Sequence, residues 1–364
     1  MPGEHESPRA RIIAVIAFGS VIGLVALSTA LSCSGRAKPV LSLVAGGDCL
    51  LDRHNGKAKM DSRGDRRWDA LVKAAHSSDA FLFNLETTVG RGGSPKNKRF
   101  VFRAPAEALE PLSRFTRPVA ALANNHAMDY GPEGLVATIA ALDERGIAHA
   151  GAGTTTEEAW TEARIACPGG TLSVLSCGFD NEASSFSESM GAALAPVDIE
   201  RLGKRIEACR ETSLAVVVML HWGLEYDTAF TRSEQLAARA LVDSGADLVL
   251  GSGPHVVQGL EEYHGALICY SLGNLVFDDL GSDETSAALL VRMTFRPIQG
   301  GGLEKKYAVA PLRTRRISEG PSRPLIEDAQ AIMRNLASRS PYPGSVKTES
   351  PSDENGLHWF SVGE

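Results

Sequence analysis

Short apolar runs that each end in polar residues are the feature that most constrains the fold of this chain. Examples are VLSLVAGGD at 40–48, DAFLFNLE at 79–86 and PVAALANNH at 118–126, and segments with helical spacing of apolar residues lie between them. Strands that alternate with helices indicate a layered α/β protein. In the second half, SLAVVVMLHWG at 213–223 is almost continuously apolar, which is typical of a strand covered on both faces.

The N-terminal segment predicts export. Residues 12–33 are apolar or small and carry no charge, and Arg9 and Arg11 precede them. This order is typical of a secretion signal or membrane anchor, and the run is long enough to span a bilayer if it is not cleaved. ALSC, which ends at Cys33, resembles a lipoprotein cleavage site, so a lipoprotein, an uncleaved anchor and an ordinary cleaved signal all stay open. In each case we expect the rest of the chain outside the cytoplasm.

Composition argues against a nucleic-acid partner. The formal net charge is -7 at pH 7, so the chain has no overall excess of basic residues that would favour nucleic-acid binding. The 364 residues are enough to bury a large core. We predict a signal or anchor at 1–36, a main domain at 37–300, a strand and helix at 301–340 that complete it, and a solvated polar tail at 341–364.

Nearly every predicted strand ends in residues that can bind a metal ion. These residues are Asp48, Asn84, Glu86, Asn125, His126, His221, Glu225, His255 and Asn274. Taken singly, each is more simply a helix cap, a turn former or a hydrogen-bonding residue. In an open α/β sheet, however, ligands bind beyond the carboxyl ends of the strands, where such loops converge. Carboxylate and imidazole together suit Mn, Fe or Zn, and two such ions can activate water and clamp a phosphoryl group.

Seven motifs follow one another in a recognisable order. They are GGDCLLD, NLETTVG, ALANNHAMDYG, AGAGTTTEEA, HWGLEY, GSGPHVVQGLEEYHG and YSLGNLVFD, within about residues 39–300. Together they resemble the bacterial poly-gamma-glutamate capsule-synthesis family, which is CapA-like. This resemblance implies a metallophosphatase-like fold, a four-layer α/β/β/α sandwich related to the calcineurin-type phosphoesterases. It also implies a role in assembling the capsule polymer.

The resemblance further implies roles for single residues. One or two divalent ions (Mn, Fe or Zn) would be bound by ligands from five positions: Asp48, Glu86, Asn125, His221 and His255. His126 would face the scissile group as an acid or charge stabiliser. Glu225 is either a general base or a residue that orients His221. Leu50 replaces a histidine of the wider superfamily, and Ser252 and Gly253 stand where this family often has another, so the number of ions stays open.

The predicted substrate contacts are Asn84, Arg99, Arg103, Tyr226 and Asn274. Arg99 and Arg103 belong to a basic stretch at 96–105, KNKRFVFRAP, which also contains Lys96 and Lys98. This stretch either meets an anionic polymer or phosphate, or is a solvated strand edge. The function we predict is a metal-dependent hydrolase or transfer accessory for an anionic cell-envelope polymer or its phosphorylated precursor, with membrane synthetase subunits as candidate partners. The alternatives are a non-catalytic polymer-binding scaffold and a secreted phosphatase of another substrate.

Overall fold

The computed structural model describes residues 39–52, 68–178, 191–277, 280–299, 301–314, 321–349 and 351–363. The predicted export segment lies outside these residues. Contacts divide the chain into Met1–Lys38 and Pro39–Glu364, and every element below belongs to the second unit. No helix in the described ranges is long and apolar enough to cross a membrane.

The first sheet has nine strands. Its spatial order is β18 (Ser352–Glu354), β19 (Leu357–Val362), β17 (Leu303–Arg313), β16 (Ala287–Pro297), β1 (Leu41–Cys49), β2 (Ala80–Leu85), β5 (Pro118–Ala121) and β6 (Ala148–Ala150), with β15 (Asn274–Val276) also paired to β1. Strands β1, β2, β5, β6 and β15 are parallel, so their carboxyl ends meet at one edge. Strands β16, β17 and β19 pair in antiparallel fashion on the other side of β1.

The second sheet has six strands. Its order is β13 (Leu260–Tyr263), β14 (Ala266–Cys269), β12 (Leu248–Ser252), β11 (Ala215–His221), β9 (Gly170–Gly178) and β8 (Ala163–Cys167). The four inner strands are parallel. Strands β13 and β14 form an antiparallel hairpin. Two short ribbons complete the strands, β3 (Thr88–Val89) with β4 (Arg103–Ala104) and β7 (Ala152–Gly153) with β10 (Ala193–Leu194).

Helices cover the outer faces of both sheets: α1 (Asp69–Ala75), α2 (Gly131–Asp143), α3 (Thr156–Ala159), α4 (Ile199–Arg210) and α5 (Arg232–Asp243). Helix α6 (Ile326–Arg339) instead packs Ile332 and Leu336 into the cluster between the sheets, and 3₁₀ segments lie at Ala106–Arg114 and Pro343–Ser345. A capping box between Thr231 and Glu234 starts α5. The segment at 106–114 is a 3₁₀ helix rather than an α-helix. It contains Pro111, whose missing N–H and ring disfavour a regular α-helix.

Three hydrophobic clusters define the layers. Between the sheets, Leu43 and Leu82 pack with Val217 and Leu250. The outer face of the first sheet buries a cluster of side chains with α1 and α2: Phe81, Phe83, Leu71 and Leu135. The outer face of the second sheet buries another with α4 and α5: Val216, Val218, Leu202 and Leu241. The predicted four-layer α/β/β/α sandwich is therefore confirmed.

The prediction of a solvated tail after residue 340 is wrong for its last part. Strand β19 pairs with β17 in the register Val309–Phe360. Trp359 is 2% exposed, and the Arg292 guanidinium lies 4.3 Å from its ring centre. The prediction followed the polar composition of residues 341–364 and overlooked the short apolar run LHWFSV. This run buries its side chains because it pairs with the edge of β17.

Candidate metal centre

Strand ends from both sheets meet at the candidate site. In the first sheet, Asp48 of β1 lies in register with Asn84 of β2 and Asn274 of β15. In the second sheet, His221 is the last residue of β11. The backbone N–H of Gly253, which follows β12, donates to Oδ2 of Asp48 at 3.2 Å. This bond joins the second sheet to the ligand-bearing end of the first.

Four predicted metal ligands lie close together. Ligand atoms of Asp48, Glu86 and His221 are all within 4.8 Å of one another. His255 adds a second imidazole, with Nε2 3.9 Å from Oε1 of Glu86 and Nδ1 3.3 Å from Oδ2 of Asp48. Both carboxylates are completely buried. The structure thus unites two carboxylates and two histidines that lie up to 207 residues apart in the chain.

Glu86 is the residue of this cluster that most requires a cation. Neither of its carboxylate oxygens accepts a hydrogen bond from any described residue. Burial, followed by the charge of Asp48, raises the pKa of Glu86 well above its usual value. A buried carboxylate without a partner is costly, and a divalent ion satisfies such oxygens. The donor set of two carboxylates and two imidazoles therefore fits Mn, Fe or Zn.

The two histidines have opposite electrostatic environments. Burial lowers the pKa of His221 to about 4, so its imidazole is neutral and able to act as a ligand. Burial also opposes a charge on His255, but Glu86 and Asp48 outweigh it and raise the pKa of His255 to about 9. For Asp48, burial alone would raise the pKa. The hydrogen bond and the charge of His255 act in the opposite direction and outweigh burial, so the pKa of Asp48 is lowered.

Two asparagines, Asn84 and Asn124, support the cluster through side-chain hydrogen bonds. Nδ2 of Asn84 donates to Oδ1 of Asp48 at 2.8 Å and lies 3.3 Å from Nδ1 of His221. Nδ2 of Asn124 donates to Oδ1 of Asn84 at 3.0 Å, which fixes the orientation of that amide. Asn84 was predicted to contact substrate, but its 1% exposure corrects that assignment to a role in orienting Asp48 and His221.

Asn274 has a similar supporting position. Its Oδ1 lies 3.0 Å from Nδ1 of His255, and its Nδ2 donates to the carbonyls of His255 and Thr285. Asn274 is completely buried, so the predicted substrate contact is again corrected to an orienting one. His255 itself has φ of 59°. A non-glycine residue in this left-handed region is strained, and such strain is concentrated at functional sites.

His126 is held by a buried carboxylate. Its Nδ1 lies 2.8 Å from Oδ2 of Asp129, which is completely buried. Since an ionised carboxylate only accepts hydrogen bonds, Nδ1 is the protonated nitrogen. Burial lowers the pKa of His126, although Asp129 acts in the opposite direction. Asn124 shapes this turn, because its Oδ1 accepts from the backbone N–H of His126 at 3.1 Å.

Asn125 presents an unsatisfied oxygen beside this turn. Its Oδ1 is buried and has no hydrogen-bond partner among the described residues. Its side chain also lines a cavity of about 830 Å³ that reaches His221 and Gly253. An amide oxygen of this kind is suited to bind a cation, as predicted for Asn125.

The remaining predicted site residues are Glu225, Tyr226, Arg99 and Arg103. Glu225 is exposed and lines the cavity, but the described residues include no hydrogen bond between it and His221. His221 instead has Asn84 and Ser252 at 3.3 Å from Nδ1. Asn84 and Ser252, and not Glu225, therefore contact Nδ1 of His221.

Tyr226 and the two arginines have distinct surroundings. The Tyr226 ring is 52% exposed, lies 6.0 Å from the His255 ring, and its backbone has φ of 66°. Arg99 is exposed and lies beside Phe100. Arg103 places its guanidinium over Tyr130, 3.3 Å from the ring centre, and also donates to the carbonyl of Gly92. Arg103 is thus already engaged within the protein.

The three departures from the wider patterns also have structural consequences. Leu50 is completely buried and packs with Phe102 and Phe277. Gly253 has φ of 105°, and a Cβ there would lie 2.8 Å from the carbonyl oxygen of Trp222 and 3.2 Å from the His221 ring. A histidine cannot be accommodated at 253 without moving His221. In the segment 253–255, which follows β12, His255 is therefore the histidine that can bind a metal ion.

The fold and the site first define a class. Two stacked sheets between helices, with carboxylate and imidazole groups at strand ends from both sheets, define a metallophosphatase-like protein. Residues 42–279 match the sequence model of the family described as bacterial capsule synthesis protein PGA_cap, and the chain belongs to this family.

Similar proteins include two from Bacillus. The PGA biosynthesis protein CapA of Bacillus subtilis (strain 168) is 28% identical over 312 residues, which cover 85% of this chain and 80% of that protein. The capsule biosynthesis protein CapA of Bacillus anthracis is 28% identical over 314 residues, with coverage of 83% and 74%.

Similar solved structures include a 5′-nucleotidase precursor from Thermus thermophilus, with a TM-score of 0.46 and 14% identity. That match covers 82% of this chain and 58% of the nucleotidase chain. The calcineurin-like phosphoesterase YfkN from Bacillus subtilis has a TM-score of 0.40 and 13% identity, covering 83% of this chain and 98% of that one.

Proposed function

We propose that this protein is a metal-dependent hydrolase or transfer accessory that acts on an anionic cell-envelope polymer, or its phosphorylated precursor, during capsule biosynthesis. The observation that carries the proposal is the Glu86 carboxylate, which is completely buried and accepts no hydrogen bond from any described residue. Asp48, His221 and His255 surround it with further metal-binding groups. Family membership and the names of the Bacillus relatives support the capsule process.

In this proposal the residues divide into two groups. Asp48, Glu86, His221 and His255, together with Oδ1 of Asn125, would hold one or two divalent ions. A cation there supplies Lewis acidity toward a phosphoryl or carbonyl oxygen. His126 handles the proton: Asp129 occupies Nδ1, so Nε2 is the nitrogen that can accept a proton or pass one to the scissile group.

The cavity of about 830 Å³ is where we place the substrate. Asn125, His221 and Gly253 line it, and so do Lys98 and Glu225. Tyr226 is 52% exposed, and its ring lies 6.0 Å from the ring of His255, while Arg99 is also exposed. An anionic chain would approach along the surface where Tyr226 is exposed.

Metal content and a hydrolysis screen test this proposal. The purified protein is analysed for bound transition metals and assayed, with Mn²⁺ or Zn²⁺, against phosphomonoesters, phosphodiesters and polyglutamate. We expect His126→Ala to lower the turnover number by about 10²–10⁴-fold while metal is retained. The control is His264→Ala, since His264 is an exposed histidine in the β13–β14 turn. Protein that binds no metal and hydrolyses nothing in a metal-dependent way would overturn the enzyme proposal.

A non-catalytic polymer-binding scaffold is the second candidate. Leu50 favours it, because an apolar side chain buried with Phe102 and Phe277 stands where the wider superfamily has a histidine. The scaffold predicts that polymer binding survives chelation and the His126→Ala change alike. Equilibrium binding of labelled polyglutamate with and without EDTA separates the two candidates, because the hydrolase predicts that productive binding requires metal.

We also propose that the chain is exported and held at the membrane through residues 12–33. The basic start and uncharged apolar run support this. Mass spectrometry of the mature N-terminus distinguishes a lipidated Cys33 from an intact anchor or an unmodified cleaved end. Recovery of the protein in the cytoplasmic fraction would contradict export.

Membrane synthetase subunits are the partners we propose, and co-purification from detergent extracts tests them.

A further inference from the structure

Lys98 points into the protein. Only 17% of its side chain is exposed, and its Nζ lies 2.5 Å from Oδ1 of Asp129. The same Nζ donates to the backbone carbonyl of Asn125 at 2.7 Å. A lysine that was grouped by sequence with a solvated or anion-binding stretch is therefore committed to two internal acceptors.

These acceptors belong to the turn that carries His126. Oδ2 of Asp129 accepts from Nδ1 of His126 at 2.8 Å and from the backbone N–H of Phe102 at 2.6 Å. The Phe102 ring lies 4.3 Å from the His126 ring. The loop 96–102, which runs from Lys96 to Phe102, thus contacts the carboxylate–imidazole pair through an ammonium, an amide and a ring.

We propose that Lys98 is a positioning residue that holds His126 in its Nδ1–H tautomer and fixes the backbone of Asn125, which lines the same cavity as His221. Its ammonium forms an ion pair with Oδ1 of the buried Asp129 carboxylate and donates to the backbone carbonyl of Asn125, the residue that precedes His126. Charge-assisted bonds of this kind are the stronger ones in a buried site. The effect on turnover rests on the proposed function, whereas the effect on the His126 ring does not.

Four variants test the role of Lys98. Lys98→Met removes the ammonium and keeps most of the stem, and Lys98→Arg keeps the charge and the donors. Arg91→Met is the matched control, because Arg91 is an exposed cation on the segment that leads into the same loop. Lys98→Met leaves the buried Asp129 carboxylate without its cation. Thermal melting is therefore measured first, and Lys98→Gln, which retains a neutral donor, replaces it if it does not fold.

Three readouts are made on each folded variant: the tautomer of His126, the Mn²⁺ affinity and the turnover number. Long-range ¹H–¹⁵N NMR of metal-free protein identifies the tautomer of His126, and titration calorimetry gives the Mn²⁺ affinity. We expect one Nδ1–H tautomer in the wild type and in Arg91→Met, and a mixture in Lys98→Met. Mn²⁺ affinity and turnover should fall about 10–100-fold in Lys98→Met and recover in Lys98→Arg.

A folded Lys98→Met protein with the wild-type His126 spectrum and the wild-type Mn²⁺ affinity would overturn the inference. If the wild type neither binds Mn²⁺ nor hydrolyses any substrate, the proposed function fails, and the tautomer comparison still decides whether Lys98 positions His126.

Discussion

Oε1 of Glu86 lies 3.9 Å from Nε2 of His255, which is too long for a hydrogen bond. Two ligands that each lie about 2.1 Å from one ion are at most about 4.2 Å apart. The spacing of these two atoms therefore suits a shared cation better than a direct contact.

Glu86→Gln should weaken metal binding. The change removes a charge from the centre of the cluster, so we expect Mn²⁺ affinity at least about 10-fold lower by calorimetry. The free energy of unfolding of chelated protein should fall by no more than about 1 kcal/mol, because a buried carboxylate without a hydrogen-bond partner is itself costly. The exposed Glu144→Gln serves as the control. Wild-type affinity in Glu86→Gln would show that the ion, if any, binds elsewhere.

Metal binding should release protons and strengthen as the pH rises. In metal-free protein the pKa of Glu86 is raised, first by burial, and the pKa of His255 is raised to about 9. Both groups must lose their protons to bind an ion, so acid competes with metal. Calorimetry at pH 7 in buffers of different ionisation enthalpy should give different apparent enthalpies. Identical enthalpies, or affinity that falls between pH 6 and pH 8, would contradict the assignment of these ligands.

Gly253→Ala should disturb both the fold and the centre. Gly253 has φ of 105°, and the added Cβ meets the Trp222 carbonyl and the His221 ring. We expect a loss of about 1–3 kcal/mol in the free energy of unfolding, measured with urea, and weaker Mn²⁺ binding. Gly265→Ala is the matched control, because Gly265 has φ of 74° but no atom within 4 Å of the added Cβ. Equal effects of both changes on Mn²⁺ binding would exclude a specific contact with His221.

Trp359→Ala should destabilise the whole domain. Trp359 is 2% exposed in the core on the outer face of the first sheet, so we expect a loss of about 3–5 kcal/mol on urea unfolding. Tyr342→Ala, at a 55% exposed position, should cost less than about 1 kcal/mol. If both variants unfold at the wild-type urea concentration, the C-terminal strand contributes nothing to stability.

Local sequence patterns carried most of the fold class and most of the ligand set. An apolar run that ends in Asp48, Glu86 or His221 predicts a buried strand with a polar residue at its carboxyl end. The sequence is sufficient for this prediction because the pattern involves only neighbouring residues. The parallel order of such strands then places their ends at one edge. The hydrogen bond from the backbone N–H of His126 to Oδ1 of Asn124 is local as well, because the two residues are two positions apart.

The tertiary structure decided which of these groups face the ion and which support it. Asn84 and Asn274 have the same chemistry as Asn125, yet their amides are enclosed behind Asp48 and His255, while the oxygen of Asn125 is left unpaired. Lys98 likewise turned inward, although nothing in its own stretch of sequence differs from an exposed basic loop. Burial and hydrogen-bond partners of this kind depend on contacts between segments far apart in the chain, and a linear pattern does not contain them.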